Sequence, residues 1–125
     1  MTPISRPLTG RHLDFDLAEH IAALRDDHGY KETGRIGRTL VKDDGLRITV
    51  TVLAEGAEVG THHAAAPMTL QVLEGRLSYR VEGDEDGEFE LGAGQLLFFG
   101  PGHARDIEAL EDTALLLTIT GGAEG

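Results

Sequence analysis

Residues 68–81 run Met68-Thr69-Leu70-Gln71-Val72-Leu73-Glu74-Gly75-Arg76-Leu77-Ser78-Tyr79-Arg80-Val81. Met68, Leu70 and Val72 alternate with Thr69 and Gln71; beyond Gly75, Leu77, Tyr79 and Val81 alternate with Ser78 and Arg80. A period of two belongs to a strand, because successive side chains point to opposite faces. The stretch therefore predicts two strands, 68–74 and 76–81, divided at Gly75, with Met68, Leu70 and Val72 on an interior face.

The same period continues on both sides. Downstream lie Phe89 and Leu91, a turn at Gly92-Ala93-Gly94, a buried strand over 96–99, a loop at Gly100-Pro101-Gly102, and strands over 104–109 and 114–120. Upstream, 38–42 is a short strand and Asp43-Asp44-Gly45 is a hairpin signal. Leu46, Ile48, Val50 and Val52 then alternate with Arg47, Thr49 and Thr51 as a half-buried strand. Residues 56–67 predict a loop that holds His62 and His63. About eight short strands with turn signals every 8–12 residues form the pattern of an all-β sandwich or barrel.

One helix precedes them. Asp16-Leu17-Ala18-Glu19 has the form of a capping box, and Leu17, Ile21 and Leu24 fall on one helical stripe. The spacing predicts a helix over about 17–27 with Gly29 as its stop, and His20 and His28 as solvated polar positions. The expected organisation is an N-terminal arm and helix over 1–35, a barrel over 36–120 and a frayed tail over 121–125.

The chain has 125 residues, room for one core. It has no cysteine, which excludes disulfides, thiolate nucleophiles and iron–sulfur clusters. No apolar run approaches the length of a membrane helix, and the first residues lack a signal-peptide core, so a cytoplasmic protein is expected. The net charge is −11, which disfavours nucleic acid and anionic membrane surfaces as partners. The charge is uneven. Residues 1–47 carry 8 basic and 8 acidic side chains; residues 48–125 carry 3 basic and 14 acidic ones. The densest cluster, Glu82 to Glu90, is a solvated turn, since it lacks the ligand order of a calcium loop.

Residues 38–120 resemble a cupin, a small double-stranded β-helix or jelly-roll barrel. The family's first motif is G-x5-H-x-H-x3,4-E-x6-G; here Gly56, His62, Ala64, Met68 and Gly75 keep its spacing. Its second is G-x5-P-x-G-x2-H-x3-N; here Gly94, Gly100, Pro101, Gly102, Arg105 and Ala109 keep that spacing. Leu70-Gln71-Val72-Leu73-Glu74-Gly75 is also similar to small single-domain cupins. The resemblance implies an all-β RmlC-like barrel preceded by one short N-terminal helix, and pairing as a homodimer.

The resemblance also implies a metal held by three histidines and a glutamate, but position by position only His62 matches. Ala64, Met68 and Arg105 replace the other three ligands. An arginine repels a metal and cannot coordinate it. The expectation is therefore a degenerate metal site with no cofactor. The alternative is one divalent transition metal (iron, manganese, nickel or zinc) at a shifted centre of His62, His63 and His103. Imidazole suits these metals.

Without a metal, the barrel offers an apolar pocket. Met68, Leu70 and Val72 line it, with Tyr79, Leu96 and Phe98 or Phe99 completing the wall. A guanidinium in such a pocket must find a partner. For Arg105 the partners are Glu58 or Asp106, an anionic ligand held through carboxylate or phosphate oxygens, or water at the mouth. The expected ligand-binding residues are thus Arg105, His62, Met68, Tyr79 and Phe98. Two function classes stay open. One is a binding module for a small anionic molecule. The other is an enzyme: a metal-dependent dioxygenase or isomerase, or a metal-free epimerase with His62 or His63 as general base.

Overall fold

The computed structural model describes residues 12–63, 67–81, 87–100 and 104–120, with the backbone alone at 60–63, 104 and 105. Residues 64–66 of the expected loop at 56–67, residues 101–103 with His103 among them, the acidic turn at 82–86 and the two ends lie outside these residues.

Two helices come first. Helix α1 (Leu17–Arg25) starts where the capping signal predicts, with Asp16 Oδ1 accepting from the Glu19 N–H at 3.2 Å. It does not continue to residue 27. Asp27 caps a second helix, α2 (His28–Thr33), by accepting from the Gly29 N–H at 2.7 Å. Gly29, the expected stop, thus lies inside α2. The stop is Gly34, which takes a φ of 81° at the C-cap.

Nine strands follow among the described residues: β1 (Arg35–Asp43), β2 (Leu46–Leu53), β3 (Glu58–His63), β4 (Met68–Glu74), β5 (Arg76–Val81), β6 (Glu88–Gly92), β7 (Leu96–Phe99), β8 (Ala104–Ala109) and β9 (Thr113–Thr120). They form a five-stranded sheet in the order β1-β2-β9-β4-β7 and a four-stranded sheet in the order β3-β8-β5-β6. Every paired neighbour is antiparallel. This is the all-β jelly roll that the sequence pattern predicts. The strands at 68–74 and 76–81 fall on the expected residues. The ninth strand is β3, in the stretch expected to be a loop.

Two apolar cores lie on the two faces of the five-stranded sheet. Between the sheets pack Leu53, Leu70, Val72, Leu77, Leu91, Ile107, Ala109 and Leu115. On the outer face, Ile21 and Leu24 of α1 pack on Leu40, Val50, Val52 and Ala114. The β2 alternation is therefore real, but Val50 and Val52 face the helices, while Leu53 turns to the barrel interior. Burial of each such side chain stabilises the fold by about 1.5–3 kcal/mol.

His20 is not solvated. It is 4% exposed under α1, where Arg38 Nη1 donates to its Nδ1 at 3.0 Å and the Phe15 ring meets it edge-on. The apolar stripe of α1 is wide enough to carry His20 inward beside Ile21. His28 is exposed, as expected, and stands 3.1 Å from Glu32.

Candidate functional site

The residues singled out in the sequence gather at one end of the barrel. On β8, Arg105 lies between His62 of β3 and Val81 of β5, its register partners. In the opposite sheet, Met68 of β4 lies between Phe99 of β7 and Ile119 of β9. Each row occupies the same end of its sheet.

Alternation assigns the faces. Ile107 and Ala109 belong to the core between the sheets, so position 105 falls on that same face of β8. Leu77 is in this core and Tyr79 packs against it, so Val81 falls there too. On β3 the pairing runs Val59↔Ile107 and then His62↔Arg105, three residues against two. That register shift is a β-bulge at Gly60 and Thr61, which places one extra residue on β3. It returns His62 to the face of Val59, which packs on the interior core. His63, the next residue of the strand and the partner of Ala104, takes the alternate position.

Beneath this end sits an aromatic floor. The Tyr79 ring stacks on Phe89 at 5.3 Å and meets Phe99 edge-on at 6.1 Å. Tyr79 and Phe89 belong to the four-stranded sheet and Phe99 to the five-stranded one, so the cluster joins the sheets. Met68 is 4% exposed, on the interior face with Leu70 and Val72. Of the alternatives Phe98 and Phe99, Phe99 is the wall residue. Phe98 and Leu96 are each 63% exposed and lie on the outer face of β7, because Leu97 packs on the interior core and Phe99 is buried. The pair of phenylalanines at adjacent positions hid which one faced in, and Phe89, which completes the floor, was missed as a site residue.

Glu58 and Asp106, named above as partners for Arg105, take outer positions on their strands. They precede Val59 and Ile107, whose side chains belong to the interior, so both lie on the outer face of the four-stranded sheet and line a groove there.

The residues at the motif positions do not fit a divalent metal. Of His62, Met68 and Arg105, one is an imidazole, one a thioether and one a permanent cation. Among the described residues no three His, Cys, Asp or Glu side chains form a group that could hold a metal ion. No helix among them is long and apolar enough to cross a membrane.

The chain has the double-stranded β-helix fold seen in solved RmlC-like cupin structures. A conserved protein of unknown function from Streptococcus pyogenes is similar to it, with 24% identity and a TM-score of 0.65 over 74% of this chain and 78% of that one. An RmlC-like cupin from Shewanella frigidimarina matches with 22% identity and a TM-score of 0.65 over 74% of this chain and 80% of its own. A deletion variant of Bacillus subtilis oxalate decarboxylase matches with 23% identity and a TM-score of 0.64 over 73% of this chain and 26% of the decarboxylase. No protein-family model matches the chain, and no curated protein does.

Proposed function

We propose that this cupin-fold protein is a binding module for a small carboxylate, taken up at the barrel end marked by His62, Arg105, Met68 and Tyr79. The observation that carries the reading is the backbone register of position 105 on β8, two residues from the interior Ile107 and paired with position 62, at the barrel end where Met68 is buried and Tyr79 meets Phe99. A planar guanidinium matches a carboxylate through two parallel hydrogen bonds, and His62 adds a titratable donor beside it. The apolar floor orients the rest of the molecule. One neighbour in fold is named for oxalate, a small dicarboxylate, which fits this ligand class.

The test is calorimetric titration of untagged protein with a series of mono- and dicarboxylates and their neutral amides, after its metal content has been measured by mass spectrometry. Arg105→Gln should weaken carboxylate binding about tenfold or more, the size of one charge-assisted interaction, and leave the amides unchanged. Equal loss of both classes, or none, overturns the reading. One transition metal per chain, lost on substitution of His62, also overturns it and restores the enzyme built on His62, His63 and His103.

We also infer a homodimer through β7, the edge strand of the five-stranded sheet, whose outer face carries Leu96 and Phe98. Exposed apolar pairs on an edge strand invite pairing with another chain. Phe98→Lys should convert the dimer to monomer in sedimentation; a monomeric parent protein rejects the inference.

A further inference from the structure

The same barrel end holds a second cation, outside the motif positions. Arg47 of β2 pairs with Ile119 of β9, which pairs with Met68 of β4, so Arg47 lies in the row of Met68 and Phe99. Leu53 of β2 belongs to the core between the sheets, while Val50 and Val52 belong to the outer one. The β2–β9 ladder runs without a register shift, so alternation carries Thr51, Thr49 and Arg47 onto the interior face. On β9, Leu115 lies in the interior core and Leu117 packs against it, which puts Ile119 on the same face. Arg47 is half-buried there, and its register partner on β1, Lys42, is exposed at the rim.

Two observations show that this cation lacks an anion. Lys42 and Arg47 stand directly opposite each other, and like charges in that arrangement destabilise a sheet. Among the described residues neither has a hydrogen bond or an ion pair, in a chain of net charge −11. Every other arginine whose side chain is described has a partner. Arg25 has Glu74, Arg35 the Glu58 carbonyl, Arg38 the His20 ring, Arg76 Glu90 and Arg80 Glu88. The acids next along the chain do not relieve Arg47. Asp43 pairs with Leu46 on the alternate face, and its Oδ1 accepts from the Asp44 N–H at 2.7 Å.

Position 105 lies across the barrel from Arg47. Leu53 of β2 and Leu115 of β9 share a core with Ile107 and Ala109 of β8, so β8 faces β2 and β9. Positions 47 and 105 thus fall on the facing sides of two sheets at one end, with stacked sheets about 10 Å apart. A guanidinium is a fixed cation that matches one carboxylate through two parallel hydrogen bonds. A single carboxylate at position 105 leaves Arg47 unanswered. We propose that Arg47 takes a second carboxylate, so that this barrel end binds a short aliphatic dicarboxylate across the gap between its sheets. The proposal rests on the carboxylate reading above and adds the class of carboxylate and the residue that selects it.

Succinate and butyrate are the probes, titrated calorimetrically into the full chain, because they share a carbon chain and differ by one carboxylate. Succinate should bind about tenfold or more tightly than butyrate. Arg47→Gln should weaken succinate about tenfold and change butyrate less than about twofold, whereas Arg105→Gln should weaken both. Arg47→Lys, which keeps the charge and loses the planar fork, should recover part of the loss. Arg76→Gln, which removes the same charge from the outer face, should change neither by more than about twofold. Without ligand, Arg47→Gln should melt no lower than the parent, because it removes the like-charge pair with Lys42. A lower melting temperature would mean that Arg47 already has its anion within the chain, and overturns the proposal. Unchanged succinate binding in Arg47→Gln, equal loss of both ligands in that variant, equal weakening by Arg76→Gln, or sulfate binding as tightly as succinate also overturns it, and each leaves the carboxylate reading standing. Unchanged butyrate binding in Arg105→Gln overturns that reading, and this proposal with it.

Discussion

At Gly75 the backbone takes a φ of 91°, where residues with a side chain are strained. A Cβ there would overlap the Asp112 carbonyl oxygen and stand 2.6 Å from Thr113 Oγ1. Thr113 is itself fully buried, donates to the Arg76 carbonyl at 3.0 Å and accepts from the Arg76 N–H at 3.2 Å, so it cannot retreat. Gly75→Ala is expected to lose about 2–4 kcal/mol in urea unfolding, from strain and displacement together. The glycine was legible as a strand stop. Its partner was not, since Asp112 lies far along the chain and only the β5–β8 and β4–β9 pairings bring it there. Tyr30 gives a residue-scale pH prediction. Burial, and then the Asp112 carboxylate, push its phenol above 10.0, against the opposing pull of Arg25. The folded state thus keeps a proton that the unfolded chain loses above pH 10, so stability falls as pH rises beyond that point. Tyr30→Phe should lose less stability than the parent between pH 10 and 11 in chemical denaturation, and a parallel decline would remove Tyr30 as the cause.

At the scale of elements, the strands with clean alternation were legible and β3 was not. Its six residues, Glu58-Val59-Gly60-Thr61-His62-His63, contain one large apolar side chain and a bulge that breaks the period of two. The shift decides the candidate site, because it sets which histidine shares a face with Val59, and no local signal announces it. The helices show a different limit. Capping at Asp16 was legible, while the capture of the Gly29 N–H by Asp27 divides what the apolar stripe suggested as one helix. Helix α1 covers the second core, and Leu24 is 1% exposed at its centre. Leu24→Ala should cost about 2–4 kcal/mol through lost burial and the cavity left against Val50 and Val52. Removal of residues 1–28 should lower the melting temperature by uncovering the same face. A truncated chain with unchanged melting would show that the five-stranded sheet is stable without its cover.

At the scale of the molecule, the uneven charge along the sequence becomes uneven charge between two sides of the barrel. The balanced first 47 residues supply the helices and β1, which with β2 form one side. The acidic remainder supplies β3, β8, β5 and β6, whose outer face holds Glu58, Glu88, Glu90, Asp106 and Glu108 against Arg76 and Arg80. The asymmetry was legible; that five of the acids share one sheet face follows only from the register. Two opposing effects of salt can be weighed. Screening weakens exposed pairs such as Arg76–Glu90 and Arg25–Glu74, each worth about 0–1 kcal/mol. It also weakens the mutual repulsion of a chain with net charge −11. The screening length falls from about 30 Å at 0.01 M to about 8 Å at 0.15 M, shorter than a sheet face. Repulsion acts over the whole face and the pairs act locally, so repulsion should dominate the response. Melting followed by circular dichroism should therefore rise with sodium chloride over that range, and rise less in the Glu58→Gln, Glu108→Gln double variant. A fall with salt would mean that the local ion pairs outweigh the field of the acidic sheet, and that the opposed glutamates carry less strain than their register implies.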